Sequence, residues 1–144
     1  MSVKVIHYES GQIKSITIRN EKGQLHNLNG PAYQDWYKNG QEQYRECLVK
    51  GRRHNPEGPA VQRWYETGQE AYRAYQVNKK YHNPEGPALQ EWCRNGQEIC
   101  RDYWIDGKEL TEEEFNQYRN TIEVTCNGKL VRISKESAKA LNLI

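Results

Sequence analysis

The sequence predicts a mainly β fold: an elongated single-layer antiparallel β-meander of stacked hairpin repeats, with a small α+β C-terminal cap. Three observations predict it. His26, His54 and His82 open the same phrase 28 residues apart, and eleven of the 28 positions are identical in all three copies. Each copy carries a turn dipeptide, Asn39-Gly40, Thr67-Gly68 or Asn95-Gly96, between two runs of extended-type residues. Between copies, Asn55-Pro56-Glu57-Gly58 and Asn83-Pro84-Glu85-Gly86 match a type I turn, so the chain reverses at both ends of every unit.

Composition sets the kind of packing. Of 144 residues only 35% are apolar, Leu, Ile, Val and Phe together number 25, and mean hydropathy is -1.09. Such a thin aliphatic supply leans toward disorder, but a net charge of +2 with 10 Tyr and 4 Trp does not. The expectation is a folded chain held by aromatic and amphipathic side chains. No apolar run approaches the roughly 18 residues of a membrane span, and the start, Met1-Ser2-Val3-Lys4-Val5-Ile6-His7, lacks a signal-peptide pattern. A cytoplasmic location is expected on that basis.

Residues 1–25 read as a degenerate repeat forming a capping hairpin, with strands over 3–8 and 13–18; Tyr8-Glu9-Ser10-Gly11-Gln12 echoes Tyr37-Lys38-Asn39-Gly40-Gln41. Residues 26–109 are the three repeats. In 110–144, Thr111-Glu112-Glu113-Glu114 is a capping box starting a short helix. Residues 122–133 make a hairpin around Asn127-Gly128, and Ser134 begins a second helix. Leu141, Leu143 and Ile144 are expected to cover the last strand or meet a partner. This tail is not read as an independent domain, since about 35 residues rarely fold alone.

A two-residue Asn95-Gly96 loop would set Arg94 opposite Gln97 and Trp92 opposite Ile99, and side chains would then alternate between two surfaces. One surface is constant: Ala60, Gln62, Trp64, Ala71 and Arg73 with their counterparts, where Arg can lie over indole. What repeats serves the repeat geometry. The other surface changes from copy to copy, and from it come the candidate protein-binding residues Tyr33, Tyr37, Tyr44, Leu48, Arg63, Tyr65, Tyr72 and Trp104. A second candidate is a basic rim of connecting loops, Lys50, Arg52, Arg53, Lys79, Lys80 and Lys108 with Lys22, suited to phosphate of a nucleic acid or an anionic lipid. Against it, residues 26–109 hold 12 basic and 12 acidic side chains.

The units resemble the MORN repeat and its bacterial and viral variants through Tyr37-Lys38-Asn39-Gly40, then Gly51-Arg52-Arg53-His54 and Gly58. The resemblance covers roughly residues 8 to 110. It departs in its 28-residue period and in His-Asn-Pro-Glu-Gly-Pro where the common form has His-Gly-x-Gly. It implies a twisted antiparallel sheet used for binding or assembly, with lipid binding proposed for some relatives. Longer units of this kind look like those of bacteriophages, large DNA viruses and antitoxin-like proteins, which implies an adaptor or an inhibitor of a host factor. No catalytic residue carries over.

Other chemistry finds little purchase. Equivalent positions in successive hairpins lie two strands apart, about 9 to 10 Å, so His26, His54 and His82 cannot share a zinc ion; each is expected to bond the backbone of a connecting loop. Cys93 and Cys100 are expected to be neighbours on one face, as free thiols or as a pair. There is no Gly-rich phosphate loop and no Gly-x-Ser-x-Gly. The expectation is a non-enzymatic module with no cofactor and no metal, whose partner is a protein, with a homodimer through an exposed sheet edge as a further option.

Overall fold

A computed structural model describes residues 1–144, which divide into two compact units, Met1–Glu109 and Leu110–Ile144. The first opens with the hairpin β1 (Ser2–His7) and β2 (Ile13–Arg19). The first repeat supplies β3 (Tyr33–Trp36), β4 (Glu42–Glu46), β5 (Leu48–Val49) and β6 (Arg52–Arg53). The second supplies β7 (Val61–Trp64), β8 (Glu70–Ala74), β9 (Gln76–Val77) and β10 (Lys80–Tyr81). The third supplies β11 (Leu89–Trp92), β12 (Glu98–Ile105) and β13 (Lys108–Leu110). The main sheet has nine strands in the order β1-β2-β3-β4-β7-β8-β11-β12-β13, and the pairs between β1 and β12 are antiparallel. No helix is long and apolar enough to cross a membrane.

The turns differ from the two-residue loops expected. Tyr65 N–H donates to Gln69 O and Gly68 N–H to Tyr65 O, both at 2.9 Å, and the same pair of bonds recurs around Gly40, Gly96 and Gly11. This is a three-residue loop, a type I turn followed by a left-handed residue, with Gly68 at φ 86°. One residue is thereby added to the return strand. Trp64 pairs with Glu70, the register shifts between Arg63 and Trp64, and Ala71 leaves the face assigned to it. Past the bulge the expected register resumes: Gln90 pairs with Arg101 and Glu91 with Cys100.

The true two-residue loops lie in the links. Lys50-Gly51 has φ of 51° and 73°, Asn78-Lys79 51° and 69°, and Asp106-Gly107 51° and 80°, the paired positive values of a type I′ turn. The first two close the short hairpins β5-β6 and β9-β10, which run as separate ladders beside the main sheet, and the third joins β12 to β13. Successive links are tied by Gly51 N–H to Leu25 O, Lys79 N–H to Arg53 O and Gly107 N–H to Tyr81 O. As expected, each histidine serves this backbone. His26, His54 and His82 accept at Nδ1 the N–H groups of Lys50, Asn78 and Asp106, at 3.0 to 3.1 Å.

The core of this unit is small-residue packing. Ala32, Ala60, Ala74 and Ala88 are at most 1% exposed, with Val61, Cys47 and Leu48 beside them. The invariant Asn of each link arches over by donating Nδ2 to Pro31 O, Pro59 O or Pro87 O while its Oδ1 accepts the N–H two residues on.

The second unit holds α1 (Glu112–Arg119) with the expected Thr111/Glu114 capping box, the hairpin β14 (Thr121–Cys126) and β15 (Lys129–Ser134), and α2 (Lys135–Ala140) capped by Ser134. Asn127-Gly128 is a type I′ loop here, at φ 49° and 75°. Phe115 and Ala138 are buried, whereas Leu141, Leu143 and Ile144 are exposed, at 52 to 63%.

Candidate functional site

Cross-strand pairing places one row of side chains on each face of the main sheet. On the constant face the partners run Gln34, Arg45, Gln62, Arg73, Gln90, Arg101. Apart from the buried Arg73 Nε, which has no acceptor, this row pairs within itself. Gln34, Gln62 and Gln90 donate to Glu42, Glu70 and Glu98 at 2.9 to 3.0 Å, and the same carboxylates hold Arg45, Arg73 and Arg101 at 2.6 to 3.1 Å. Arg45 lies 5.4 Å over Trp64, and Arg73 lies 5.1 Å over Trp92, each across a repeat boundary. The invariant Gln, Trp, Glu and Arg are therefore committed to one another.

On the other face the row reads Asp35, Tyr44, Arg63, Tyr72, Glu91. All five line one open groove of about 530 Å³, together with Tyr37, Tyr65, Trp64, Trp92, Arg94 and Ile99. Its charges are not spent on each other. Asp35, Arg63, Glu91 and Arg94 form no ion pair; Arg63 and Arg94 instead rest over the rings of Tyr72 and Tyr65 at 4.6 and 5.0 Å. Asp35 Oδ2 accepts the Tyr33 hydroxyl at 3.0 Å, while its Oδ1 is buried without a partner.

Burial pushes the Asp35 carboxyl above its ordinary range; the Tyr33 hydroxyl works against that shift and Glu42 adds to it. Burial likewise raises the phenols of Tyr33 and Tyr37, and takes Tyr44 up to about 12. Tyr72 is raised as well, first by burial and then by its bond to Tyr81. At neutral pH these tyrosines are uncharged, so the groove's net character comes from its two acids and two arginines.

Of the eight candidate residues on this face, Tyr37, Tyr44, Arg63, Tyr65 and Tyr72 converge on the groove. Tyr33 reaches it through Asp35. Two do not belong to it. Leu48 is 6% exposed and is a core residue, because the link hairpin it opens folds its side chain inward, and Trp104 packs against Tyr81 at 5.4 Å. Tyr37 and Tyr65 also carry structure, their hydroxyls donating to Trp64 O and Trp92 O in the next hairpin at 2.9 and 2.8 Å. The structure adds Arg94 and Ile99, and it adds Asp35 and Glu91, which the sequence places on the variable face with Arg63 but which are not among the candidate binding residues. The signal for Asp35 and Glu91 was present, since Asp35, Arg63 and Glu91 occupy one repeat position with alternating charge.

The rim residues Lys22, Lys50, Arg52, Lys79, Lys80 and Lys108 all sit on or beside the links, and Arg53 is held by Glu46 at 2.5 Å. The four cysteines are free thiols; Cys100 faces Asp102 at 3.4 Å and is pushed up to about 11, chiefly by burial. No three His, Cys, Asp or Glu side chains gather in a group that could hold a metal ion. Comparison of the chain with protein-family models, curated proteins and solved structures finds no match.

Proposed function

We propose that the chain is a non-catalytic, MORN-like repeat module that binds another protein through the groove on its variable face, serving as an adaptor or as an inhibitor of a host factor. The observation that carries this reading is the contrast between the two faces. The constant face pairs every charge internally, while the variable face presents four charges without an ion pair among tyrosines. Tyr and Arg in a partly desolvated depression are among the side chains that dominate protein-binding energetics. The test is affinity capture from cells of the natural source with wild type and with the Arg63→Glu/Arg94→Glu double variant. A partner lost by the variant, with the thermal transition kept, supports the reading; equal capture contradicts it.

A second reading is favoured by the rim, where Lys22, Lys50, Arg52, Lys79, Lys80 and Lys108 enter no ion pair and follow one another along the tied links. Such a row suits the phosphates of a nucleic acid or an anionic lipid surface. Phosphate binding weakens steeply with salt, so an affinity that persists at high ionic strength removes this reading.

A further inference from the structure

We propose that the groove takes a polyproline-II segment lying across the strands and presenting a cation, an acid and a cation at every third residue, an inference that rests on the groove being a protein-binding surface. Asp35, Arg63 and Glu91 are separated by one intervening strand each, with Tyr44 and Tyr72 between them. Adjacent strands are spaced about 4.7 to 4.9 Å, so the three charges recur about every 9.5 Å.

Three regular conformations can be laid along that line. An extended strand covers the distance in about three residues, but its side chains alternate, and every second charge would point away. An α-helix needs about six residues, which leaves the side chain a third of a turn out of line; seven residues restore the face but overshoot by about 1 Å at each step. Polyproline II rises about 3.1 Å per residue with three residues per turn, so every third side chain returns to one face after about 9.3 Å. Only this repeat matches both the spacing and the direction.

The lining agrees with the same occupant. Prolines between the charged residues would meet Tyr44 and Tyr72 in the row, with Tyr37 and Tyr65 beside them, and aromatic-lined grooves accept the preformed polyproline-II helix at low entropic cost. Asp35 and Glu91 have no ion-pair partner in the protein, so a cation at each end of the segment would supply the missing counter-charge. Arg63 is exposed and free for a carboxylate. A polyphosphate backbone would meet repulsion at Asp35 and Glu91.

The probes are two labelled peptides, Arg-Pro-Pro-Glu-Pro-Pro-Arg and Glu-Pro-Pro-Arg-Pro-Pro-Glu, each flanked by Pro-Pro. Both are palindromic, so chain direction does not matter. Fluorescence anisotropy should show the whole protein binding the first at least about ten times more tightly than the second. The Arg63→Glu variant, whose exposed position spares the fold, should weaken the first peptide at least tenfold. The Asp35→Lys/Arg63→Glu/Glu91→Lys variant should invert the preference. Equal affinity for both peptides, or binding of neither, overturns the proposal. If neither binds while cellular capture is still lost in Arg63→Glu/Arg94→Glu, the groove remains a protein-binding surface and the polyproline-II occupant alone falls.

Discussion

Arg45 of the first repeat lies over the indole of Trp64 in the second, 5.4 Å from the ring centroid, while Glu42 accepts two of its N–H groups at 2.8 and 2.6 Å. Arg73 and Trp92 repeat the relationship one unit on. Each repeat is thus clipped to the next by a cation that its own glutamate orients, and stability is shared between neighbours as in other repeat arrays.

Removing the indole tests this clip. Trp64→Ala leaves Arg45 without its ring and opens the packing at one boundary. A loss of about 2 kcal/mol is expected, below the roughly 3–5 kcal/mol of a fully enclosed aromatic because Trp64 is only half-buried. Chemical denaturation measures it, and an unchanged midpoint would mean that the boundary is held by backbone pairing alone.

The second link turn is the odd one. Where the first and third have Gly51 and Gly107, Lys79 occupies the left-handed second place at φ 69°. A side chain there is strained, by roughly 1 kcal/mol for an L-residue. Lys79→Gly is therefore expected to raise stability by about 0.5 kcal/mol, after the entropy of glycine is counted. A lower melting temperature would contradict the turn assignment.

Much of this architecture was legible in the sequence, and the failures share one cause. The period set the strands, the loop histidines and the Arg-over-indole row, because identity across copies marks what every boundary needs. Asn-Gly misled: it suits a type I′ loop, but it equally suits the last two places of a type I turn with a left-handed Gly. Thr67-Gly68 carried the deciding signal, since a β-branched residue resists positive φ, and Thr67 does not adopt it. The link hairpins were hidden because Lys50-Gly51, Asn78-Lys79 and Asp106-Gly107 share no residue across all three copies. With them went the burial of Leu48, while the misread Asn-Gly loop cost the position of Ala71. The groove was half legible: its tyrosines stand out as variable aromatics and Asp35, Arg63 and Glu91 share one repeat position, but that these charges lack ion-pair partners emerges only from the side-chain geometry.

Asp35 should trade stability for recognition. Its carboxyl is raised in the folded state, so the fold disfavours the carboxylate at neutral pH, and that penalty vanishes as pH falls through the folded value to below the unfolded one. Asp35→Asn is expected to melt higher than wild type at neutral pH, with the difference shrinking in acid. A gain that persists unchanged in acid would place its origin elsewhere.

Tyr65 separates its two roles by a single atom. Tyr65→Phe keeps the ring under Arg94 but removes the hydroxyl that Trp92 O accepts at 2.8 Å. A cost of about 1 kcal/mol is expected by equilibrium unfolding, with groove binding retained. Loss of binding at unchanged stability would assign the hydroxyl to the partner instead.

The central claim is that two arginines on the same sheet do different work: Arg73, held by Glu70 and lying over Trp92, belongs to the scaffold, and Arg63, lying over Tyr72 with no carboxylate, belongs to the binding surface. Thermal unfolding of Arg73→Ala beside Arg63→Ala tests it most directly. The expected result is a fall of about 4 °C for Arg73→Ala, near 1 kcal/mol, and less than about half of that for Arg63→Ala. Equal losses, or a larger loss at Arg63, would contradict the division of the faces.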